Sequence, residues 1–172
     1  MSQTGVNMSE RLLTLDADQL EELSDMPHQR VVEALEAGKV VFLPQYTFQA
    51  LDEVIFSEER VQSTKKNISY HYLTQQLSGI PLDSNYAATI AEMMGRYAVF
   101  AHQLVTKLCP HYKQGLRWGR TSFRPAEIDG RKRSKRQDDT RLHVDSFPAT
   151  PVHGQRILRV FCNMNPYGKP RV

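Results

Sequence analysis

Apolar positions in the first third of the chain fall into short groups separated by polar runs. Between residues 9 and 24, leucines stand at 12, 13, 15, 20 and 23, which fits a helical face loosely and predicts a first helix. The next run, MPHQRVVEALEAGK (26–39), is a cleaner helix. Pro27 suits its first turn, Val31, Val32 and Leu35 share a face, and Gly38 supplies a stop. KVVFLP (39–44) then predicts a short buried strand closed by Pro44. Residues 47–57 bring Phe48, Leu51, Val54 and Ile55 to one side of a further short helix, and a polar connector containing KKNIS follows.

The longest periodic stretch runs from about Asn85 to Cys109. Tyr86, Ile90, Met93, Met94, Tyr97, Phe100, Leu104 and Leu108 recur at helical spacing, and Pro110 ends the helix. This methionine–aromatic stripe reads as core packing rather than as a binding surface. From Leu116 the pattern changes to short extended runs, LRWGRTSFRP, TRLHVDSFP and RILRVFCNMNP, punctuated by prolines at 125, 148, 151 and 166. Helices first and strands last predict an α+β fold, with helices packed on one face of a mainly antiparallel sheet. The expected organisation is a single domain over 1–172, helical to about residue 115 and stranded from about 116.

Composition changes this picture little. With 172 residues, 40% hydrophobic and 24% charged, the chain is long enough and apolar enough to close a core. A net charge of +3 does not call for nucleic acid, and no aromatic residues interleave with the basic run GRKRSKRQDD (130–139). That run reads either as a solvated loop or as a rim attracting phosphate or carboxylate groups. Two widely spaced cysteines, Cys109 and Cys162, fit a reducing compartment. The N-terminus lacks signal-peptide character, and no apolar run approaches the roughly 20 residues of a membrane span. A cytoplasmic location is expected.

The candidate chemistry lies in DDTRLHVDSFP (138–148). In an extended strand Arg141, His143, Asp145 and Phe147 point to one face. Residues two apart lie roughly 6–7 Å from each other, so an imidazole and a carboxylate can converge on one ion at about 2 Å from each. Two histidines and a carboxylate on one octahedral face leave positions open for a keto acid and dioxygen, the arrangement of non-haem iron(II). Alone, His-x-Asp is equally a pair of polar residues on a solvated sheet face.

The surroundings separate these alternatives. GKVVFLP, KKNISY, TSFRP, DDTRLHVDSFP and RILRVFCNMNPYGKPRV, in this order between Gly38 and Val172, resemble the Kdo hydroxylase family. Its members are iron(II)/2-oxoglutarate dioxygenases that hydroxylate 3-deoxy-D-manno-oct-2-ulosonic acid (Kdo), the inner sugar of bacterial lipopolysaccharide. The resemblance implies a cupin-like double-stranded β-helix, or jelly roll, with the helices packed outside. It implies Fe(II) as cofactor, with 2-oxoglutarate and O2 as cosubstrates giving succinate and CO2, and His143 and Asp145 as iron ligands. The acceptor it implies is Kdo-lipid A or a related acidic sugar, met at the inner membrane surface.

A keto acid also needs a cation for its distal carboxylate, and an arginine can engage it bidentately. Arg159, which shares a strand face with Ile157, Phe161 and Asn163, and Arg124 of TSFRP are the candidates. Asn163 is a further candidate for the ligand site, although with Asn165 it can equally close a turn before Pro166. A third iron ligand is not evident. His153 reads as a loop residue, His102 lies within the long helix, and His28, His71 and His111 fall outside the stranded part. The strand candidates after residue 116 are too few for the eight of a jelly roll, so the expectation is an incomplete barrel in a C-terminally truncated chain. Two alternative readings remain: a non-catalytic module binding an acidic sugar or lipid surface, and a zinc- or manganese-dependent cupin.

Overall fold

The structure is a computed structural model that describes residues 10–21, 26–50, 65, 67–81, 84–125, 151–165 and 167–168. Its elements are β1 (Leu12–Thr14), α1 (Ala17–Glu21), α2 (Met26–Glu36), β2 (Val40–Phe42), β3 (Ile68–His71), β4 (Gln76–Ser78), α3 (Ala87–Leu108) and β5 (Arg120–Phe123). A single 3-10 turn, Pro110–Tyr112, follows α3.

Where the structure describes it, over 10–21, the helix expected across residues 9–24 is instead a strand followed by a short helix. Leu13 and Leu15 are both buried, a period of two, because β1 pairs in parallel with β2 in the register Leu12↔Val40, Leu13↔Val41 and Thr14↔Phe42. β2 forms where KVVFLP predicts it, but it is not a buried strand. With β1 as its partner in a two-stranded sheet, it turns Val41 towards the core and leaves Val40 61% and Phe42 49% exposed.

α2 matches its sequence prediction at both ends of the argument. Val31 and Ala34 are buried, Val32 and Leu35 pack beside them, and Gln29 Nε2 donates to Glu33 Oε1 at 2.9 Å on the exposed side. At the end of the helix Gly38 adopts φ 74°. Its N–H bonds Leu35 O at 3.0 Å and Lys39 N–H bonds Ala34 O at 2.8 Å, the paired bonds of a Schellman cap.

α3 organises the rest. Its C-terminal residues Leu104 and Leu108, with Cys109, close a core against Leu13, Leu15, Leu20, Val31 and Ala34. Its N-terminal residues Ile90, Met93 and Met94 close a second core against Ile68, Tyr70 and Phe123. The stripe read as core packing therefore serves two cores along one 22-residue helix. Burial pushes the Cys109 thiol pKa up, so at 1% exposure it behaves as a small apolar side chain.

The second core contains a three-stranded antiparallel sheet in the order β4-β3-β5, with Ile68 opposite Phe123 and Tyr70 opposite both Leu77 and Thr121. Thus part of the KKNIS connector is not a connector. It leads into β3, whose alternate residues Ile68 and Tyr70 are buried. Gly79 ends β4 at φ 84°, where a methyl group would collide with the Asn67 carbonyl oxygen, so only glycine fits that turn.

The helix expected at 47–57 is absent over 47–50, and its remainder lies outside the described residues. Phe48 packs edge-on against Tyr97 at 5.2 Å, while Arg96 Nη1 and Nη2 donate to Gln49 O and Ala50 O at 3.2 and 2.9 Å. Taken together, the chain is a mixed α/β fold with two small sheets, and no closed barrel occurs among the described residues.

Candidate functional site

β5 delivers Arg124 directly after buried Phe123, and Arg124 is exposed. Arg159 and Asn163 lie on residues 155–165, which join no sheet ladder among the described residues. The expected strand there is therefore not formed as such, but its alternation is present. It holds from Arg159 onward: Val160, Cys162 and Met164 are half-buried, whereas Arg159, Phe161 and Asn163 face outward, Phe161 at 83% exposure; before it, Ile157 and Leu158 are both exposed.

Side chains replace the missing ladder in fixing this run. Val160 packs on the first core and Met164 on the second. Tyr97 Oη donates to Val160 O at 2.9 Å. Arg156 pairs with Glu36 at the end of α2, and Tyr112 Oη donates to the same carboxylate at 2.6 Å. Asn163 Oδ1 accepts from Asn165 N–H at 3.2 Å, and Asn165 Oδ1 accepts from Tyr167 N–H at 2.9 Å, giving two successive turns bonded through asparagine side chains. Asn163 thus closes a turn with its carbonyl oxygen, one of the two roles its sequence position offers.

Sequence reasoning placed Tyr97 in a packing stripe and missed its clamp. Burial, followed by the nearby Cys162 thiolate, pushes its phenol up to about 12 from 10.0. A phenol whose folded pKa exceeds its unfolded value keeps its proton longer in the folded state. Its stabilising contribution is therefore complete below pH 10 and is lost as pH rises from 10 towards 12. Tyr97→Phe is expected to cost about 1 kcal/mol and to flatten this alkaline limb of the stability profile. Amide hydrogen exchange in 155–165 should rise in the same variant, and urea melts between pH 8 and 12 check both effects.

His143 and Asp145 lie outside the described residues, as does the basic run 130–139. Among the described residues no three His, Cys, Asp or Glu side chains gather in a way that could hold a metal. His153, at φ 49°, sits in a turn closed by Gln155 N–H to Val152 O at 2.8 Å. The His102 ring stacks on Trp118 with centroids 4.5 Å apart. His71 Nδ1 accepts from Thr74 N–H at 3.3 Å inside the β3–β4 turn, and His111 is exposed on the 3-10 turn. A groove of about 590 Å³ opens between that hairpin and α3, and it is lined by none of Arg124, Arg159 or Asn163.

Solved structures define the class to which this arrangement belongs. The chain is similar to the Kdo hydroxylase KdoO, a non-haem Fe(II) α-ketoglutarate-dependent dioxygenase solved in complex with cobalt(II), at 40% identity and TM-score 0.84. That match covers 93% of this chain and 55% of the other. The complex of KdoO with α-ketoglutarate and Fe(III) matches at 40% identity and TM-score 0.82, and its apo structure at 41% and 0.83. Each covers 92% of this chain and 54% of the other. The chain thus spans about half the length of these structures. No curated protein matches.

The family model for 3-deoxy-D-manno-oct-2-ulosonic acid (Kdo) hydroxylase matches residues 18–172, and the chain belongs to that family.

Proposed function

We propose that this chain carries the metal-binding strand and part of the cosubstrate site of an iron(II)/2-oxoglutarate-dependent Kdo hydroxylase. It would act in the cytoplasm on the Kdo sugar of Kdo-lipid A, at the inner membrane surface, releasing succinate and CO2. The observation that carries this reading is 40% identity across 93% of the chain to a dioxygenase of that activity. The His143-x-Asp145 pair within the matched residues supports it.

The finer architecture in this reading is a jelly roll, to which residues 116–172 contribute strands while the helices pack outside. The antiparallel pairing of β5 with β3, and the packing of both on α3, support it. His143 and Asp145 offer one imidazole nitrogen and one carboxylate, a donor set that suits iron(II) when a second histidine joins it. Iron held by these residues would supply coordination of the keto acid and activation of dioxygen.

The chain's own side chains bind and orient. Arg159 or Arg124 holds the distal carboxylate of 2-oxoglutarate through a paired, charge-assisted contact. The Tyr97 and Glu36 clamps fix the backbone on either side of Arg159, so its guanidinium is presented from an anchored run.

Anaerobic addition of Fe(II) and 2-oxoglutarate is expected to give a visible charge-transfer band that Zn(II) does not give and Asp145→Ala abolishes. The alanine variant of the arginine that binds the cosubstrate weakens 2-oxoglutarate about 10- to 100-fold. An unchanged band in Asp145→Ala would remove that residue from the metal site.

A further inference from the structure

The groove between the β3–β4 hairpin and α3 has no part in the reading above. It is a shallow, open depression of about 590 Å³. Tyr70, Tyr72 and Phe100 give it aromatic walls, and Gln75, Gln103 and Glu92 give it a polar rim.

Each wall is held in place. Trp118 stacks on Tyr72 at 4.2 Å and on His102 at 4.5 Å, which locks Tyr72 into a three-ring pile. Tyr70 crosses α3 at Gly95, where an added Cβ would already lie 3.4 Å from the Tyr70 hydroxyl oxygen. Phe100 stacks on Tyr46 at 5.3 Å. Gln75 is placed on the rim by φ 54°, a conformation that glutamine adopts at an energetic cost.

The rim chemistry selects the ligand. Both glutamine amides donate and accept, and Glu92 accepts, so the groove suits groups that do both, as neighbouring hydroxyls do. Arg96 also lines it, but its two terminal nitrogens are already committed to Gln49 O and Ala50 O. Its Nε lies 4.0 Å from Glu92 Oε1, too far for a hydrogen bond. At that distance the two still form an ion pair, so the charged residues of the lining cancel and leave no net charge to attract an anion, while the Glu92 side chain, 77% exposed, can accept from a ligand.

We infer that this groove binds a neutral saccharide, one or two pyranose rings laid against Tyr72 and Phe100 with their hydroxyls on Gln75, Gln103 and Glu92. The inference goes beyond the hydroxylase reading and does not depend on it, since the two share no residue.

Saturation-transfer NMR on the 172-residue chain tests it with methyl α-D-glucopyranoside, maltotriose and Kdo as probes. Transfer to the two neutral sugars, with weaker transfer to the anionic Kdo, is expected. Gln103→Ala and Glu92→Ala each weaken the neutral sugars by about fivefold, and Tyr72→Ala by about tenfold. Gln103 is exposed, so its replacement tests the rim without touching either core, and circular dichroism verifies the fold of all three variants. The inference is overturned by no transfer to either neutral sugar, by equal or stronger transfer to Kdo, or by binding that folded Gln103→Ala and Glu92→Ala leave unchanged.

Discussion

Replacing His143 with alanine is expected to lower succinate release from 2-oxoglutarate at least about 100-fold, in the protein supplied with Fe(II), O2 and Kdo-lipid A. Loss of outer partners of metal ligands already costs 10- to 100-fold, so loss of a ligand itself exceeds that range. The alternative reading of His-x-Asp, two polar residues on a solvated sheet face, predicts almost no change. The two readings therefore differ by orders of magnitude in one assay. Equal succinate from wild type and His143→Ala would sink the ligand assignment while leaving the family membership intact. Melting curves recorded on the same samples separate lost chemistry from lost fold.

The largest stability effect is expected from Ile90→Ala. Ile90 is 0% exposed and sits on α3 in the core that includes Ile68, Tyr70, Met94 and Phe123, where helix meets sheet. Truncation removes buried methyl and methylene groups and leaves a cavity, at a cost of about 2–5 kcal/mol. That is a large fraction of the roughly 5–15 kcal/mol that holds a domain folded. Alanine is the better helix former, so α3 itself is not weakened and the loss reports packing alone. Thermal melts should show a fall of roughly 10 °C. Met93→Leu, which nearly conserves volume in the same core, should cost under about 1.5 kcal/mol. Comparable losses in the two variants would mean that this core is loosely packed.

The parts of this fold visible in the sequence are those with long periods or explicit punctuation. α2 carries its own stop at Gly38, and α3 repeats its apolar stripe over six turns before Pro110. The strands are three or four residues long, too short to display a period, and β1 was hidden because leucine suits helices. Phe48 is the one residue of the stripe expected over 47–57 that the structure describes, and it lies outside any helix, while Arg96, 46 residues beyond Ala50, takes the Ala50 carbonyl. Local pattern cannot foresee such a contact. In the candidate site, the alternation from Arg159 onward was legible because burial imposes it even without a ladder. The tie from Tyr97 to Val160 was not, since a tyrosine in an apolar stripe carries no mark of the backbone carbonyl it will meet.

The two tethers of the 155–165 run also order the assembly of the molecule in time. The contacts within α2, within α3 and across the β3–β4 hairpin close short loops. The Tyr97–Val160 bond joins residues 63 apart and the Glu36–Arg156 pair joins residues 120 apart. Each doubling of loop length adds about 0.6 kcal/mol of closure entropy, and long-range closures become favourable only after local ones have formed. Arg159 therefore reaches its anchored position after the helices and the hairpin have formed. A chain stalled just before that step would hold its helices and its hairpin, yet would lack the fixed backbone that presents the arginine.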